Sequence, residues 1–247
     1  MIENSIFEYS NKLLKNDSAK INFNLLNDYE IFLNNGAGYY KSLYCSHNNY
    51  DLFYKLKNEL NTHNCEKIVW SKHYKYDEPF KTPIFCEIIK NIENDFKIEV
   101  LETRLNYYDV NDWKPMHQDS HAFDGNKKEN YTIGVSLGSM RELVFQHILS
   151  NERFSFPQYN GDVFCFNSEV NKKFLHGVMP INNFNKSIIN DRISIIVWGI
   201  KHDNILYKSL TIINNNNENN ENNENNIKKR RWKSKKNNNY NIDLCNK

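Results

Sequence analysis

From about residue 99 onward, apolar residues recur at every second position in short runs, a spacing typical of β-strands with one buried face. The six runs are Val100–Tyr108, Tyr131–Leu137, Glu142–His147, Asp162–Phe166, Phe174–Val178 and Arg192–Gly199. No helical pattern separates them, as it would in a parallel sheet. The pattern therefore predicts a mainly β fold, either an antiparallel sandwich or a small barrel. Between the runs, Leu137–Ser139 and Asn160–Gly161 are typical of hairpin turns.

The first hundred residues show a helical spacing instead, with apolar residues three and four positions apart. The clearest set follows Thr82 and Pro83 and comprises Ile84, Phe85, Ile88, Ile89, Ile92 and Phe96. Threonine suits the N-cap of a helix, and proline is favoured at the first helical position. Residues 50–56 show a weaker pattern of the same kind. We therefore expect flanking helices on the N-terminal side of the β region.

The C-terminal part of the chain has the composition of a disordered tail. Residues 214–226 contain only Asn and Glu, which cannot form an apolar core, and a basic cluster follows at Lys228–Lys236. The cluster is typical of a nuclear localisation signal or a phosphate-binding tail, and a solvated low-complexity extension is the alternative. We expect three regions: an N-terminal helical and loop extension at 1–64, a barrel domain at 65–210 and a disordered tail at 211–247.

The charge of the chain is unevenly distributed. The full sequence carries 32 Lys and Arg against 30 Asp and Glu, a formal net charge of +2. Residues 211–247 hold eight of the basic and four of the acidic residues, so the remaining residues carry a formal charge of −2. This balance excludes a strongly basic domain that coats nucleic acid.

Cysteine usage and hydropathy bear on the compartment. The five cysteines lie far apart and form no Cys-x-x-Cys pair: Cys45, Cys65, Cys86, Cys165 and Cys245. The N-terminus lacks a basic start followed by an apolar run, and no stretch approaches the roughly 20 apolar residues that cross a bilayer. We therefore expect a reduced intracellular protein, in the nucleus, the cytoplasm or both, with no membrane-spanning segment.

The sharpest local signal of chemistry is Met116-His117-Gln118-Asp119. On an extended segment, His117 and Asp119 point to the same side, which gives two of the three ligands of a 2-His-1-carboxylate metal site. A third ligand must come from another strand. We expect it to be His176, which stands inside an apolar run, with His147 as the next candidate. For His176 alone, the alternative is a hydrogen-bonded core histidine.

A candidate anion-binding group lies on the last predicted strand. Arg192 and Ser194 share one face of that strand, whereas the other face carries Ile193, Ile195 and Val197. An arginine buried in a barrel needs a carboxylate partner, because an unpaired buried charge is costly. A dicarboxylate cosubstrate would supply that partner in a two-pronged contact, and a structural Arg–Asp pair is the alternative.

The order and spacing of these residues resemble the AlkB family of Fe(II)- and 2-oxoglutarate-dependent dioxygenases. That family carries an Asn-x-Tyr strand ahead of its His-x-Asp motif, then a distal His, and then an Arg. The corresponding residues in this chain are Asn106, Tyr108, His117, Asp119, His176 and Arg192. The resemblance covers roughly residues 65–202.

The resemblance implies a double-stranded β-helix, a jelly-roll barrel with helices packed on one sheet. The Fe(II) ligands that it implies are His117, Asp119 and His176. The implied residues for 2-oxoglutarate are Arg192, on the far carboxylate, together with Asn106 and Tyr108. Molecular oxygen would be the second cosubstrate.

Two positions depart from the usual pattern of the family. A second Arg usually follows the first, near the metal-bound end of 2-oxoglutarate, and Trp198 stands in its place. The nucleic-acid members often carry an acidic residue two positions after the Asp of the His-x-Asp motif, and His121 stands there. The first departure affects how the cosubstrate is bound, and the second affects which substrate is recognised.

Aromatic and basic residues alternate over residues 70–76, a region that forms a lid over the substrate in AlkB-like proteins. The resemblance implies substrate contacts from Trp70, Lys72 and Tyr74, with Trp113 and His121 as further candidates. Residues 113–115 would line the entrance, since they directly precede His117. The alternative is that these aromatic residues pack on the barrel and that the lysines are solvated.

The leading functional hypothesis is therefore the oxidative dealkylation of an alkylated base, with nucleic acid as the partner. Two alternatives stay open. One is a hydroxylase or demethylase of a protein side chain or small molecule, and the other is a non-catalytic binding module that retains the barrel.

Overall fold

The computed structural model describes residues 23–61, 65–68, 73–76, 82–122, 124–180 and 189–202. The helices in these ranges are α1 (Phe23–Ile31), α2 (Asp51–Leu60), α3 (Pro83–Phe96) and α4 (Ser168–Lys173). The strands are β1 (Ala37–Tyr40), β2 (Cys65–Ile68), β3 (His73–Tyr76), β4 (Ile98–Tyr108), β5 (Lys114–His117), β6 (Tyr131–Gly138), β7 (Arg141–His147), β8 (Arg153–Gln158), β9 (Val163–Asn167), β10 (Phe174–Val178) and β11 (Arg192–Lys201). Short helical turns occupy Phe32–Gly36 and Ser120–Ala122.

The strands form two antiparallel sheets. The larger has seven strands in the order β1-β9-β6-β11-β4-β3-β2, and the smaller has four in the order β5-β10-β7-β8. Aromatic side chains from both sheets pack against one another, so the sheets enclose a common interior. This is the predicted mainly β jelly-roll, or double-stranded β-helix, with flanking helices.

One face of the seven-stranded sheet is covered by α2 and α3. The core on this side includes Phe53, Leu56, Phe85, Ile89, Ile133, Leu105, Ile193, Ile195 and Val197. Helix α3 begins at Pro83 with Thr82 at the N-cap position, as the sequence predicts, although the Thr82 side chain makes no capping hydrogen bond. The helix ends where Lys97 adopts a left-handed conformation, with φ of 52°.

The interior between the sheets contains a second core, which is mainly aromatic. Its phenylalanines are Phe32, Phe145, Phe154, Phe156, Phe164, Phe166 and Phe174. The ring of Phe32 packs edge-on against Phe145 and Phe174, with centroid distances of 5.1 and 4.8 Å. Because Phe32 follows α1, this contact joins the N-terminal helix to the barrel. The rest of the interior holds a cavity lined by both polar and apolar residues.

The two glycine segments between predicted strands are turns, but the prediction that they form hairpins is wrong. Gly138 and Gly161 both have positive φ, 92° and 85°, which glycine adopts without steric strain. Each turn leads from one sheet to the other, because β6 and β9 belong to the larger sheet and β7 and β8 to the smaller. In a jelly-roll the chain crosses between sheets at these corners, so the two strands that flank each of these turns do not pair with each other.

Five short strands were not predicted from the alternating pattern: β1, β2, β3, β5 and β8. Four of them are the outer strands of the two sheets. Strands β5 and β8 contain Pro115 and Pro157, and proline is tolerated at sheet edges because it cannot donate to a neighbouring strand. Short edge strands with proline lack the apolar repeat on which the prediction depended.

The expectation that all the cysteines are reduced is wrong for Cys86, which is disulfide-bonded. Cys45 and Cys165 are free thiols. Separation along the sequence did not preclude this bond, since the fold can bring distant cysteines together. Within the described ranges, no helix combines the length and the apolar character needed to span a membrane. Trp70, Lys72 and the predicted tail at 211–247 lie outside the described residues.

Candidate metal centre

The fold brings His117, Asp119 and His176 together inside the barrel. His117 ends β5 and stands directly opposite His176 on β10, with ring centroids 4.4 Å apart. Both imidazoles turn Nε2 toward the same carboxylate oxygen, because Asp119 Oδ1 lies 3.9 Å from His117 Nε2 and 3.7 Å from His176 Nε2. The ligand atoms of the three residues all lie within 4.8 Å of one another.

Three other side chains fix the position of Asp119. Asn171, in α4, accepts a hydrogen bond from the Asp119 backbone NH and donates one to its carbonyl oxygen, both at 3.0 Å. The Thr132 hydroxyl donates to Asp119 Oδ2 at 2.9 Å, and the Trp198 side chain donates to the same carboxylate. Thr132 and Trp198 are opposite each other on β6 and β11, so two neighbouring strands hold the carboxylate.

The protonation states in this cluster are those that metal binding requires. His117 Nδ1 lies 2.9 Å from the carbonyl oxygen of Pro115; a carbonyl only accepts, so this nitrogen carries the proton and Nε2 keeps its lone pair. Burial lowers the pKa of His117 and lowers that of His176 to about 4, so both rings are neutral at neutral pH. Burial alone would raise the pKa of Asp119, but electrostatic interactions with His176 and with the Lys114 ammonium lower it.

A cation fits this arrangement better than an apolar core does. Two neutral imidazole nitrogens and a carboxylate oxygen converge at distances too long for hydrogen bonds between them. His176 Nδ1 is also buried without a hydrogen-bond partner, so the alternative of a hydrogen-bonded core histidine does not describe it. Two imidazoles and one carboxylate form a donor set that suits Fe(II) and leaves coordination positions open.

His147, the other candidate for the third ligand, is occupied elsewhere. It ends β7 and is fully buried, with Nε2 2.8 Å from Asp28 Oδ2 and Nδ1 2.8 Å from Ser150 Oγ. Both ring nitrogens therefore have protein partners. The geometry favours His176.

Arg192 lies in the same cavity as the three candidate ligands. It is 4% exposed, its Nε donates to the Ser136 hydroxyl at 2.9 Å, and its guanidinium lies over the Tyr108 ring, 5.2 Å from the ring centroid. Its Nη1 is buried and has no hydrogen-bond partner, and no carboxylate among the described residues lies within 4.0 Å of it. The neighbouring Asp191 interacts instead with Lys57 and Tyr107. Arg192 therefore does not form the structural Arg–Asp pair that was the alternative.

The cavity combines polar residues of the larger sheet with an apolar wall. Asn106 and Tyr108 of β4 are almost fully buried and line it, as the resemblance implied. Phe164, Phe166 and Val178 are among its apolar lining residues. These side chains would exclude water from a molecule that reaches between Arg192 and the histidine cluster.

The predicted substrate residues are less well placed. Trp113 and His121 do not line the cavity, although His121 is buried in the helical turn after Asp119 and both its ring nitrogens lack hydrogen-bond partners. Tyr74 belongs to β3, next to β4, and its side chain is outside the described set. Of residues 113–115, Lys114 is the one that reaches the cavity.

Several supporting residues were not predicted from the sequence. Thr132, Gly134 and Ser136 occupy alternate positions of β6 on the inner face. Small residues at alternate positions of a strand whose other residues are large could have predicted the face that lines the cavity. Asn171 offered none, because its role depends on α4 bringing it beside Asp119. Gly177 follows His176 for a steric reason: a Cβ there would lie 2.8 Å from the Lys114 carbonyl oxygen, so glycine lets β10 approach β5.

Comparison with known proteins gives only distant structural likenesses. The sequence matches no family model and no curated protein. A Pseudomonas putida prolyl-4-hydroxylase is 12% identical with a TM-score of 0.45, and the match covers 72% of this chain and 99% of that one. OsALKBH1 is 15% identical with a TM-score of 0.49, covering 67% and 97%. An oxidoreductase of the 2OG-Fe(II) oxygenase family from Burkholderia pseudomallei is 11% identical with a TM-score of 0.46, covering 75% and 94%. Likenesses this distant bear on the fold alone.

Proposed function

We propose that this protein is an Fe(II)- and 2-oxoglutarate-dependent dioxygenase. One observation carries the proposal: a single buried cavity holds a 2-His-1-carboxylate cluster and a buried arginine whose Nη1 has no hydrogen-bond partner. A metal ion satisfies the first group and a carboxylate satisfies the second. A dicarboxylate with a 2-oxo acid end can satisfy both at once.

The protein residues have distinct roles in this proposal. His117, Asp119 and His176 hold the iron, which would couple the oxidative decarboxylation of 2-oxoglutarate by O₂, to succinate and CO₂, with hydroxylation of a substrate C–H bond. Arg192 binds the far carboxylate of 2-oxoglutarate. Its guanidinium is already oriented by Ser136 and Tyr108, so little side-chain freedom is lost on binding.

The finer proposal is that the substrate is an alkylated base in nucleic acid. It is supported by the AlkB-like order of the site residues and by the seven positive charges and Trp232 of Lys228–Lys236. Hydroxylation of an N-methyl group releases formaldehyde and leaves the free amine. The formal charge of −2 on residues 1–210 favours a second candidate, a hydroxylase of a protein side chain or small molecule.

Two assays test the two levels of the proposal. The purified full-length protein should convert 2-oxoglutarate to succinate slowly without substrate, and a substrate should accelerate this conversion. A panel of methylated oligonucleotides beside a panel of peptides then identifies the substrate class. Formaldehyde release from an oligonucleotide supports demethylation, whereas stimulation by peptides alone contradicts it. If no succinate forms under any condition, the barrel is a binding module.

The basic cluster gives a separate test of nucleic-acid binding. Removal of residues 211–247 should weaken oligonucleotide binding and reduce the slope of affinity against salt, because fewer counterions are released. Succinate formation without substrate should not change, since every proposed site residue lies before residue 211. Equal salt slopes for the full-length and truncated proteins would show that the cluster does not bind phosphates.

A further inference from the structure

Lys114 is a buried cation inside the candidate active site. It begins β5, lies opposite Val178 on β10 and is 7% exposed. Its side chain lines the cavity that also contains Asp119 and Arg192. Among the described residues, no carboxylate lies within 4.0 Å of its ammonium group, although lysine is rarely buried without a partner.

The cavity carries more positive than negative charge. Its charged lining residues are Lys114, Arg192 and Asp119, so two cations face one carboxylate before any metal binds. Burial lowers the pKa of Lys114 to about 8, which leaves the ammonium mostly protonated at neutral pH. A divalent metal bound by Asp119 and the two histidines would increase this excess of positive charge. An anion with two negative charges would balance most of it.

The position of Lys114 differs from that of Arg192. Lys114 lies on β5, the strand that ends in His117, and is paired with Val178, two residues after His176 on β10, whereas Arg192 comes from β11 of the other sheet. Lys114 therefore enters the cavity from the strands that carry the two histidines. The indole of Trp198 is uncharged, and the Arg104 guanidinium that lies over it, 5.1 Å from the ring centroid, does not line the cavity. Of the two cations that line the cavity, Lys114 is therefore the one on the sheet that carries the two histidines.

We propose that Lys114 binds the 2-oxo acid carboxylate of 2-oxoglutarate, at the metal end, while Arg192 binds the far carboxylate. This assignment rests on the proposed function. The two cations would then determine both the length and the direction of the bound dicarboxylate. Lys114 is a binding residue here, since it touches the cosubstrate and not the metal.

Another role for Lys114 would be to neutralise Asp119 alone. The two roles give different results with ligands that carry one or both carboxylates. The ligand 2-oxopentanoate has the 2-oxo acid end of 2-oxoglutarate but no far carboxylate. If Lys114 only neutralises Asp119, its removal strengthens metal binding, because a competing cation is lost, and leaves the affinities for both acids unchanged.

The experiment is equilibrium binding of both acids to the full-length protein loaded with Mn(II), which prevents turnover. Lys114→Met keeps the side-chain length and removes the charge, and Arg192→Met is the matched control. We expect Lys114→Met to weaken 2-oxoglutarate and 2-oxopentanoate alike, by about ten- to a hundredfold, the range of one charge-assisted contact. Arg192→Met should weaken 2-oxoglutarate by a similar factor and leave 2-oxopentanoate unchanged.

Each contrary result has a distinct meaning. Unchanged affinity of Lys114→Met for both acids overturns the assignment, and so does a loss confined to 2-oxoglutarate, which would place Lys114 at the far end. Wild-type protein that binds Mn(II) but neither acid overturns the proposed function as well. Thermal denaturation of Lys114→Met and of a second variant, Lys114→Gln, establishes that the binding is measured on folded protein.

Discussion

The two faces of the seven-stranded sheet are built from alternate residues of the same strands, yet their chemistry is opposite. On β11, Ile193, Ile195 and Val197 are fully buried against the helices. Arg192 and Ser194, on the other face, are also buried, but they line the cavity. The helix-side face is apolar and closely packed, whereas the inner face contains buried polar atoms without partners.

This difference separates stability from function. Burial of apolar surface under α2 and α3 stabilises the barrel by about 25 cal/mol for each Å² removed from water. The inner face lowers the stability of the fold, because buried charges and polar atoms without partners cost free energy until a ligand binds to them. We therefore expect substitutions on the helix side to reduce stability, and substitutions on the inner face to reduce binding and turnover without reducing stability.

The largest effect should come from the metal cluster. His117→Ala, Asp119→Ala or His176→Ala should each abolish iron-dependent turnover, since two remaining ligands hold the metal poorly. His147 cannot replace His176, because Asp28 and Ser150 occupy its ring nitrogens. Succinate formation measures the loss, and circular dichroism checks the fold. Turnover by His176→Ala close to that of the wild type would remove it from the cluster.

The helix-side face should show the reverse behaviour. Phe85 is fully buried in α3, and Phe85→Ala should reduce the free energy of unfolding by about 3–5 kcal/mol. Glu87, two residues away and exposed, gives the matched control: Glu87→Ala should stay within about 0.5 kcal/mol of the wild type. Urea denaturation provides both values. Turnover per folded molecule should be unchanged. A loss of turnover in folded Phe85→Ala would contradict the view that the helix-side face contributes to stability and not to function.

Lys114→Met should make the apo protein more stable. The pKa of Lys114 is about 8 in the fold and about 10.5 in the unfolded chain, so at neutral pH its buried charge costs on the order of 3 kcal/mol. Between pH 8 and 10.5 the unfolded chain holds the proton and the fold does not, so this cost falls as pH rises.

The measurement is denaturation of wild type and Lys114→Met from pH 7 to pH 10.5. The stability advantage of Lys114→Met should be greatest at pH 7 and should shrink toward pH 10.5. A variant that is less stable than the wild type at pH 7 would mean that Lys114 is paired in the fold.

Arg192→Ala should affect binding of the cosubstrate much more than it affects folding. Loss of a two-pronged charge-assisted contact, about 1.5–3 kcal/mol, should raise KM for 2-oxoglutarate roughly ten- to a hundredfold. Arg192→Lys should also be impaired, because an ammonium cannot reproduce the planar fork. Steady-state kinetics in 2-oxoglutarate measure both. An unchanged KM in the two variants would return Arg192 to a purely structural role.

The same contrast between the two faces explains which strands and site residues could be predicted from the sequence. Ile193, Ile195 and Val197 alternate with Arg192 and Ser194, so an apolar repeat of two residues identified β11 and its two faces. An apolar repeat of three and four residues identified α3. The cluster of His117, Asp119 and His176 was predictable because local spacing and strand order bring these residues to one face. A family resemblance added the candidate cosubstrate residues.

What the sequence did not predict depends on contacts between distant segments. Asn171 supports Asp119 only because α4 packs beside it, and β5 approaches β10 closely because Gly177 has no Cβ. The edge strands β5 and β8 contain proline and lack alternation. The turns at Gly138 and Gly161 have the composition of hairpins, and their role as corners between sheets is a property of the whole topology.

The central claim is that the inner face binds iron and 2-oxoglutarate for oxidation chemistry. The most direct test is succinate formation by the full-length protein during a titration with Fe(II), in parallel with His176→Ala. We expect succinate to appear only with both Fe(II) and O₂, to stop when a chelator is added, and to return when Fe(II) is restored, with none from the variant. Equal succinate formation by the two proteins across the titration would contradict the claim.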